Sequence, residues 1–216
     1  MCRILCVHKP ATFDIAAPIA AFAEVALTSR EYQGHGWGYS YWSANGWHHY
    51  HDIRPIWEDP TAHDARTNLL LVHARSAFRD EGIQVQNNMP FFDEERVFIF
   101  NGELRGVRIR ADGRIGAEKI FNFVKRFDKG DMHTALTRGV DVIRKRSRYV
   151  RAMNIILASP EQVHVSSTFG EDPDYFQMRY RQTQEELVVC SDPLDERDDW
   201  QLFPNTHTQS FDRWLS

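Results

Sequence analysis

The sequence has little cysteine, no long apolar run and no excess of positive charge. Only 3 of its 216 residues are cysteines, and none forms a CxxC pair, so a disulfide framework is not expected. No run of about 18 apolar residues occurs, and the apolar start ends at His8, so neither a membrane span nor a signal peptide is expected. The formal net charge of −4 gives no general attraction to nucleic acid or anionic lipid. These absences favour a reducing, cytoplasmic setting.

Apolar periodicity along the chain predicts one domain, over residues 1–216, of a layered α+β class. Strands come first, two helices follow and strands close the chain, so a doubly wound parallel sheet is not favoured. The Asn45-Gly46 dipeptide between two aromatic runs predicts a hairpin. The predicted helices cover residues 16–27, 117–127 and 132–146, and the predicted strands cover residues 2–8, 39–43, 47–51, 68–73, 96–100, 153–158, 163–168, 176–181 and 187–190.

The second residue gives the first indication of chemistry. If Met1 is trimmed, Cys2 carries a thiol that can attack a carbonyl and a free α-amine that can accept the thiol proton. Reference pKa values of about 8.5 for the thiol and about 7.7–8.0 for the amine let the amine act as a base near neutral pH. The alternative is an arbitrary second residue, since Cys6 shows that cysteine also occurs within the apolar run.

Three further segments carry groups that suit an amide substrate. Arg75 follows a predicted strand and offers a planar fork for a carboxylate, although a strand-end salt bridge is the alternative. Asn101 and Gly102 can supply a side-chain amide and a backbone N–H to an oxyanion, although Asn-Gly is also a common turn dipeptide. Gly36 and Trp37 would place an indole beside the same site, or would form a structural turn capped by a core aromatic ring.

The order and spacing of these motifs resemble those of the class II glutamine amidotransferases. The motifs are Cys2, His-Gly-Trp-Gly at 35–38, His-Ala-Arg at 73–75, Asn-x-x-Pro-Phe at 87–91 and Asn-Gly-Glu-Leu at 101–104. These enzymes are N-terminal-nucleophile hydrolases, and the sequence is most similar to their small stand-alone type. Residues 116–121 and 188–194 are similar to later family segments, so the resemblance covers roughly residues 2–203.

The resemblance implies a four-layer αββα sandwich and a thiol mechanism. Cys2 would be the nucleophile and, through its α-amine, the general base. Asn101 and Gly102 would line the oxyanion hole, and Arg75 would bind the α-carboxylate of the substrate. The pocket walls would include Gly36 and Trp37.

The sequence departs from the family pattern at the expected pocket. Gly116 stands where the family usually carries the Asp that pairs with the α-ammonium of glutamine, and losing such a bond typically costs about 1.5–3 kcal/mol. Met89 and Phe100 stand where the family usually has histidines. Three carboxylates could replace the missing anion: Glu103, Asp112 or Glu118. Alternatively the substrate lacks a free ammonium, as some γ-glutamyl or N-acylated amides do, or recognition has decayed.

The sequence therefore predicts a thiol amidohydrolase that releases ammonia or an amine from glutamine or a related γ-glutamyl amide. This mechanism needs no metal and no organic cofactor, and His48, His49 and His51 are interpreted as part of a polar hairpin. The small-molecule amide would be the substrate, and a separate ammonia-accepting synthase subunit is a possible partner. Nucleic acid and membranes are not expected partners. The rival function is a non-catalytic or regulatory subunit that binds a partner or ligand.

Overall fold

The protein, described here by a computed structural model, has two antiparallel sheets and four α-helices over residues 1–77 and 81–212. The helices are α1 (Ala16–Leu27), α2 (Gly116–Lys125), α3 (Met132–Arg146) and α4 (Pro173–Phe176). The strands are β1 (Arg3–Asp14), β2 (Trp37–Ser43), β3 (Gly46–Asp52), β4 (Arg66–Ala74), β5 (Phe91–Phe92), β6 (Val97–Arg105), β7 (Tyr149–Ala158), β8 (Gln162–Ser167), β9 (Arg179–Gln182), β10 (Leu187–Cys190), β11 (Gln201–Leu202) and β12 (His207–Asp212). The α+β class is confirmed.

The first sheet has the strand order β11-β9-β10-β1-β4-β2-β3, and the second has the order β12-β8-β7-β6-β5. Side chains alternate between the two faces of each strand. In β1, Leu5 and Val7 pack in the core that also contains Phe22 of α1, whereas Ile4 and Cys6 share a core with residues of the second sheet. Even-numbered residues of β1 therefore face the space between the sheets, and Cys2 continues that row.

Helices α2 and α3 cover the second sheet because each has one apolar face. The ring of Phe121 in α2 stacks on that of Phe98 in β6, with centroids 5.1 Å apart. Helix α3 begins where the Asp131 carboxylate accepts a hydrogen bond from Thr134 N–H at 3.1 Å, which satisfies a free backbone donor. Helix α1 packs on the first sheet through Ile19 and Phe22. Among residues 1–77 and 81–212, none of the helices combines the length and the apolar composition that a membrane-spanning helix requires.

Several predicted elements have the expected bounds, and others differ. Helices α1 and α3, strand β10 and the β2–β3 hairpin agree with the sequence patterns. The strand predicted at 96–100 continues to Arg105, because residues 101–105 pair with β7. The strand predicted at 176–181 is wrong at its start, where residues 173–176 form α4. Strands β5, β11 and β12 are not among the strands predicted from the sequence.

Candidate active site

A cavity of about 630 Å³ brings together three of the six predicted catalytic and substrate-binding residues. Cys2, Arg75 and Gly102 all line it, although they come from the start of the chain, the end of β4 and the middle of β6. Gly116, the first residue of α2, lines the same cavity. The arrangement places a thiol, a guanidinium and a strand backbone around one space.

Cys2 is held at the end of β1 by the antiparallel pairing with β4. Arg3 is opposite Ala74 in this pairing, so the next position places Cys2 opposite Arg75. The N–H of Ser76 donates to Cys2 Sγ at 3.5 Å. Burial raises the pKa of the Cys2 thiol, and the amino terminus, Ser76 N–H and Arg75 partly oppose that rise. The thiol therefore needs a nearby base before it can attack a carbonyl.

Arg75 is a buried cation that is held by neutral groups. Its Nη2 donates to Gly82 O at 2.9 Å, and its Nη1 donates to Asn88 Oδ1 at 3.3 Å. No carboxylate forms an ion pair with Arg75 among residues 1–77 and 81–212. Burial lowers the pKa of Arg75, and the neighbouring Cys2 opposes this. A buried guanidinium that has only neutral partners among the described residues is a suitable site for a substrate carboxylate.

Gly36 does not line the cavity, but it contacts Arg75 and Asn88. Its φ of +102° is in the region that favours glycine, and a Cβ at this position would lie 2.1 Å from Asn88 Nδ2. Its carbonyl accepts a hydrogen bond from Arg75 N–H at 2.9 Å. Gly36 therefore allows the close approach of Asn88, which in turn contacts the guanidinium.

The indole of Trp37 lies apart from the cavity residues. It is fully buried in the core beside α1, and its Nε1 donates to Asp59 Oδ2 at 3.1 Å. Gly36 precedes β2, which begins at Trp37. Neither residue lines the cavity.

The backbone of Gly102 faces the free edge of β6. Gly102 is opposite Met153 of β7, and both backbone groups of Met153 bond to Thr168 instead. In an antiparallel pair this leaves the N–H of Gly102 directed away from β7. A Cβ at Gly102 would lie 2.2 Å from Ala152 O, so only glycine fits this contact between the strands.

Asn101 is fully buried, and neither of its side-chain polar atoms has a hydrogen-bond partner among the described residues. It faces the space between the sheets, as Cys2 does, because Phe98 on the other face of β6 packs against α2. A buried amide without a partner is costly for folding. Such a group is suited to donate a hydrogen bond to something that is bound during function.

The amino terminus is held by a cluster that sequence reasoning missed. The carbonyl of Met1 accepts hydrogen bonds from Tyr175 Oη at 2.6 Å and from Gln33 Nε2 at 2.7 Å. The Met1 ammonium pairs with the Glu31 carboxylate. No local pattern marks these residues, because Gln33 and Tyr175 are 142 positions apart and meet only in the fold.

The three carboxylates that could replace an anion at Gly116 lie in different places. Glu103 lines the Cys2 cavity, whereas Glu118 and Asp112 line two other cavities. Arg114 binds both carboxylate oxygens of Glu118. Glu81 also lines the Cys2 cavity and is exposed.

The histidine-rich strand β3 makes structural contacts. His49 shares a hydrogen bond of 2.7 Å with Ser40 and stacks on Phe92, and His51 is 3.0 Å from Pro90 O. Within the described ranges no group of three or more His, Cys, Asp or Glu residues could hold a metal ion.

The fold is shared with solved class II glutamine amidotransferase domains. A glutamine aminotransferase class-II domain protein from Silicibacter pomeroyi superposes with a TM-score of 0.67 at 18% identity, covering 96% of this chain and 94% of that protein. A predicted glutamine amidotransferase from Pseudomonas aeruginosa gives 0.64 at 14% identity, covering 99% and 98%. Glutamine phosphoribosylpyrophosphate amidotransferase from B. subtilis gives 0.63 at 12% identity, with 88% of this chain matching 41% of that enzyme.

The sequence comparisons give no match. No protein-family model matches the chain, and neither does any curated protein sequence. The structural comparisons alone therefore confirm the resemblance to class II glutamine amidotransferases, and they do so at the level of the fold.

Proposed function

We propose that the protein is a thiol amidohydrolase of the class II glutamine amidotransferase type. Its substrate is the side-chain amide of glutamine or of a related γ-glutamyl compound. The proposal includes one domain over residues 1–216 with a four-layer αββα arrangement, and a cytoplasmic location. One observation carries it: the Cys2 thiol, the Arg75 guanidinium and the Gly102 backbone line the same cavity.

Each residue is assigned a role, and that of Asn101, which does not line the cavity, is based on its unpaired buried amide next to Gly102. With Met1 removed, the α-amine of Cys2 accepts the thiol proton, and Sγ attacks the amide carbon. The oxyanion receives hydrogen bonds from Asn101 Nδ2 and Gly102 N–H, the substrate carboxylate pairs with Arg75, and Gly36 keeps Asn88 beside Arg75.

The reaction balances without a cofactor. The S–C bond forms, the C–N bond breaks and ammonia leaves with the proton that the thiol gave to the α-amine. Water then adds to the thioester, which releases the carboxylic acid and restores the Cys2 thiol. The ammonia goes to solvent or to a separate synthase subunit.

The proposal is tested by measuring ammonia release from glutamine and γ-glutamyl amides by purified protein whose intact mass shows loss of Met1. Cys2→Ala is expected to abolish release. Cys190→Ala is the matched control, because Cys190 is fully buried in β10 and does not line the cavity. Equal turnover by Cys2→Ala and the native protein would reject the mechanism.

A non-catalytic regulatory subunit is the second candidate, and the departure at Gly116 favours it. An electrophilic glutamine analogue separates the two functions. One equivalent of covalent adduct on Cys2 supports the enzyme, whereas reversible binding without adduct or ammonia supports the regulatory subunit.

A further inference from the structure

The Cys2 cavity is larger than its reactive groups require. Its volume of about 630 Å³ is within the range of about 300–1,000 Å³ that is typical of pockets for drug-sized ligands. Cys2 and Arg75 engage an amide and a carboxylate, which are the two ends of a single small amino acid. The rest of the cavity is therefore open to a further part of the substrate.

One wall of that space is apolar. The segment between β6 and α2 contributes Val107, Ile109 and Ile115, and the first turns of α2 contribute Ile120. Val107, Ile109 and Ile115 are only partly buried, although each packs against the main core. Apolar surface that lines an open cavity favours an apolar ligand group, because burying that group removes both surfaces from water.

The charges that line the cavity disfavour an ammonium group. Among residues 1–77 and 81–212, three cationic side chains line it, those of Arg75, Arg105 and Lys119. Of the two carboxylates that line it in the described part of the chain, Glu103 is engaged by Arg105 at 2.6 Å and by Arg151 at 3.4 Å. The other, Glu81, is exposed. A substrate with a free α-ammonium would therefore enter a region of net positive charge.

Gly116 leaves room in the cavity beside the apolar wall. It is the first residue of α2, and a Cβ built on it would have no heavy atom within 4 Å. No left-handed φ requires glycine at this position. The missing side chain therefore leaves space between Ile115 and Ala117, both of which line the cavity.

We infer that the preferred substrate is an Nα-acylated glutamine, an inference that rests on the proposed function. Acylation removes the ammonium charge and supplies an apolar chain for the wall of Val107, Ile109 and Ile115. A γ-N-alkyl amide of glutamine supplies an apolar chain for the wall, but it keeps the α-ammonium that the cationic lining disfavours. The reaction is acylglutamine plus water giving acylglutamate plus ammonia, through the thioester on Cys2.

The test compares ammonia release from glutamine, Nα-acetylglutamine and Nα-hexanoylglutamine, and amine release from γ-glutamyl hexylamide, using full-length protein that has lost Met1. We expect kcat/KM to be at least tenfold higher for the hexanoyl compound than for glutamine. A value for glutamine or the hexylamide that equals or exceeds it overturns the inference while the proposed function stands. Failure of all four substrates, together with no covalent labelling of Cys2, rejects the proposed function itself.

Two substitutions on α2 sharpen the comparison. Gly116→Asp is expected to raise kcat/KM for glutamine at least tenfold and to lower it for Nα-hexanoylglutamine. Asn122→Asp is the matched control, because it adds the same charge to α2 outside this cavity and is expected to leave the ratio of the two substrates unchanged.

Two further variants separate the apolar wall from the exposed carboxylate. Ile109→Asp is expected to lower kcat/KM for the hexanoyl compound at least tenfold with little effect on the acetyl compound. Glu81→Gln is expected to leave both values unchanged. A tenfold loss of glutamine hydrolysis in Glu81→Gln would instead show that Glu81 recognises an ammonium and would overturn the inference.

Discussion

Asn101 and Asn154 lie directly opposite each other on β6 and β7, and among the described residues only the side chain of Asn154 has hydrogen-bond partners. Asn154 Nδ2 donates to Phe176 O at 2.8 Å, and its Oδ1 accepts from Ser167 Oγ at 2.8 Å. Both side chains are fully buried. Two identical residues in one cross-strand pair thus differ in whether their side chains are hydrogen-bonded within the described structure.

This difference predicts opposite effects of the same substitution. Asn101→Ala removes two unpaired buried groups, so the free energy of unfolding is expected to stay the same or to rise by about 1 kcal/mol. The same change is expected to lower kcat about 10²–10³-fold, as the loss of an oxyanion donor does. Urea unfolding and ammonia release measure the two effects.

Asn154→Ala is the matched control. It leaves Phe176 O and the Ser167 hydroxyl unpaired, so it is expected to cost about 1–3 kcal/mol of stability. If Asn101→Ala is the more destabilising of the two and retains native kcat, Asn101 is a structural residue.

Arg75→Lys is expected to raise KM for a substrate with an α-carboxylate about ten- to a hundredfold, with little change in kcat. A lysine keeps the charge but loses the planar fork that binds both carboxylate oxygens. Arg105→Lys is the control, because Arg105 lines the same cavity but is paired with Glu103 at 2.6 Å. Steady-state kinetics give both constants, and equal KM values for the two variants would argue against a carboxylate site at Arg75.

His73 predicts how stability depends on pH. Its ring is fully buried on β4, and burial lowers its pKa to about 3, with a smaller contribution from Arg75. An unfolded histidine titrates near pH 6.5. Between those values the unfolded state binds one more proton than the folded state, so stability falls with decreasing pH by up to about 1.4 kcal/mol per unit.

His73→Leu is therefore expected to flatten the fall in unfolding free energy between pH 6.5 and 4.5. His164 on β8 is the comparison, because burial lowers its pKa to about 4 and it does not line the Cys2 cavity. His164→Leu should flatten the curve in a similar way and leave ammonia release unchanged. Urea unfolding at several pH values gives the slopes, and parallel curves for His73→Leu and the native protein would contradict the expectation.

Local pattern was sufficient for the elements that depend on local interactions. The bounds of α3 follow from its apolar spacing and from Asp131, whose carboxylate caps the first turn. Asn101 and Gly102 were expected just beyond a strand end. They lie within β6 instead, because pairing with Asn154 and Met153 of β7 keeps them extended. Such pairing joins distant segments and leaves no trace in the dipeptide itself.

The site was predictable as far as its chemistry lies in residue type. A thiol, a guanidinium and an Asn-Gly pair are visible in the sequence, and three of those four residues line one cavity. The direction of a side chain was less accessible, as the buried Trp37 shows. Residues that hold the amino terminus could not be predicted, because Tyr175 reaches Met1 only through the fold.

The contacts of Met1 bear on the base in the proposed mechanism. Tyr175 Oη and Gln33 Nε2 both donate to the Met1 carbonyl, which is bonded to the nitrogen of Cys2. Removal of Met1 takes away that acceptor and leaves the two donors beside the new α-amine. A hydrogen bond donated to a neutral amine stabilises its neutral form and therefore lowers its pKa.

Tyr175→Phe is accordingly expected to raise the pKa of the Cys2 α-amine. A hydrogen bond of about 0.5–1.5 kcal/mol corresponds to about half a unit to one unit of pKa. The acid limb of the kcat/KM profile should move to higher pH by that amount, while the plateau is kept. The ring itself remains, so the cation–π contacts of Arg3 at 4.2 Å and Arg30 at 4.7 Å are preserved.

Other charged groups near this amine are unchanged by the substitution, since Glu31 keeps its contact with Arg151 at 3.4 Å. Tyr180→Phe is the control, because Tyr180 lies on β9, packs against Phe203 and has no contact with Met1 among those described. Its acid limb is expected to coincide with that of the native protein. Intact-mass measurement must show loss of Met1 in every sample. An acid limb that Tyr175→Phe leaves in place would mean that this hydroxyl does not act on the base.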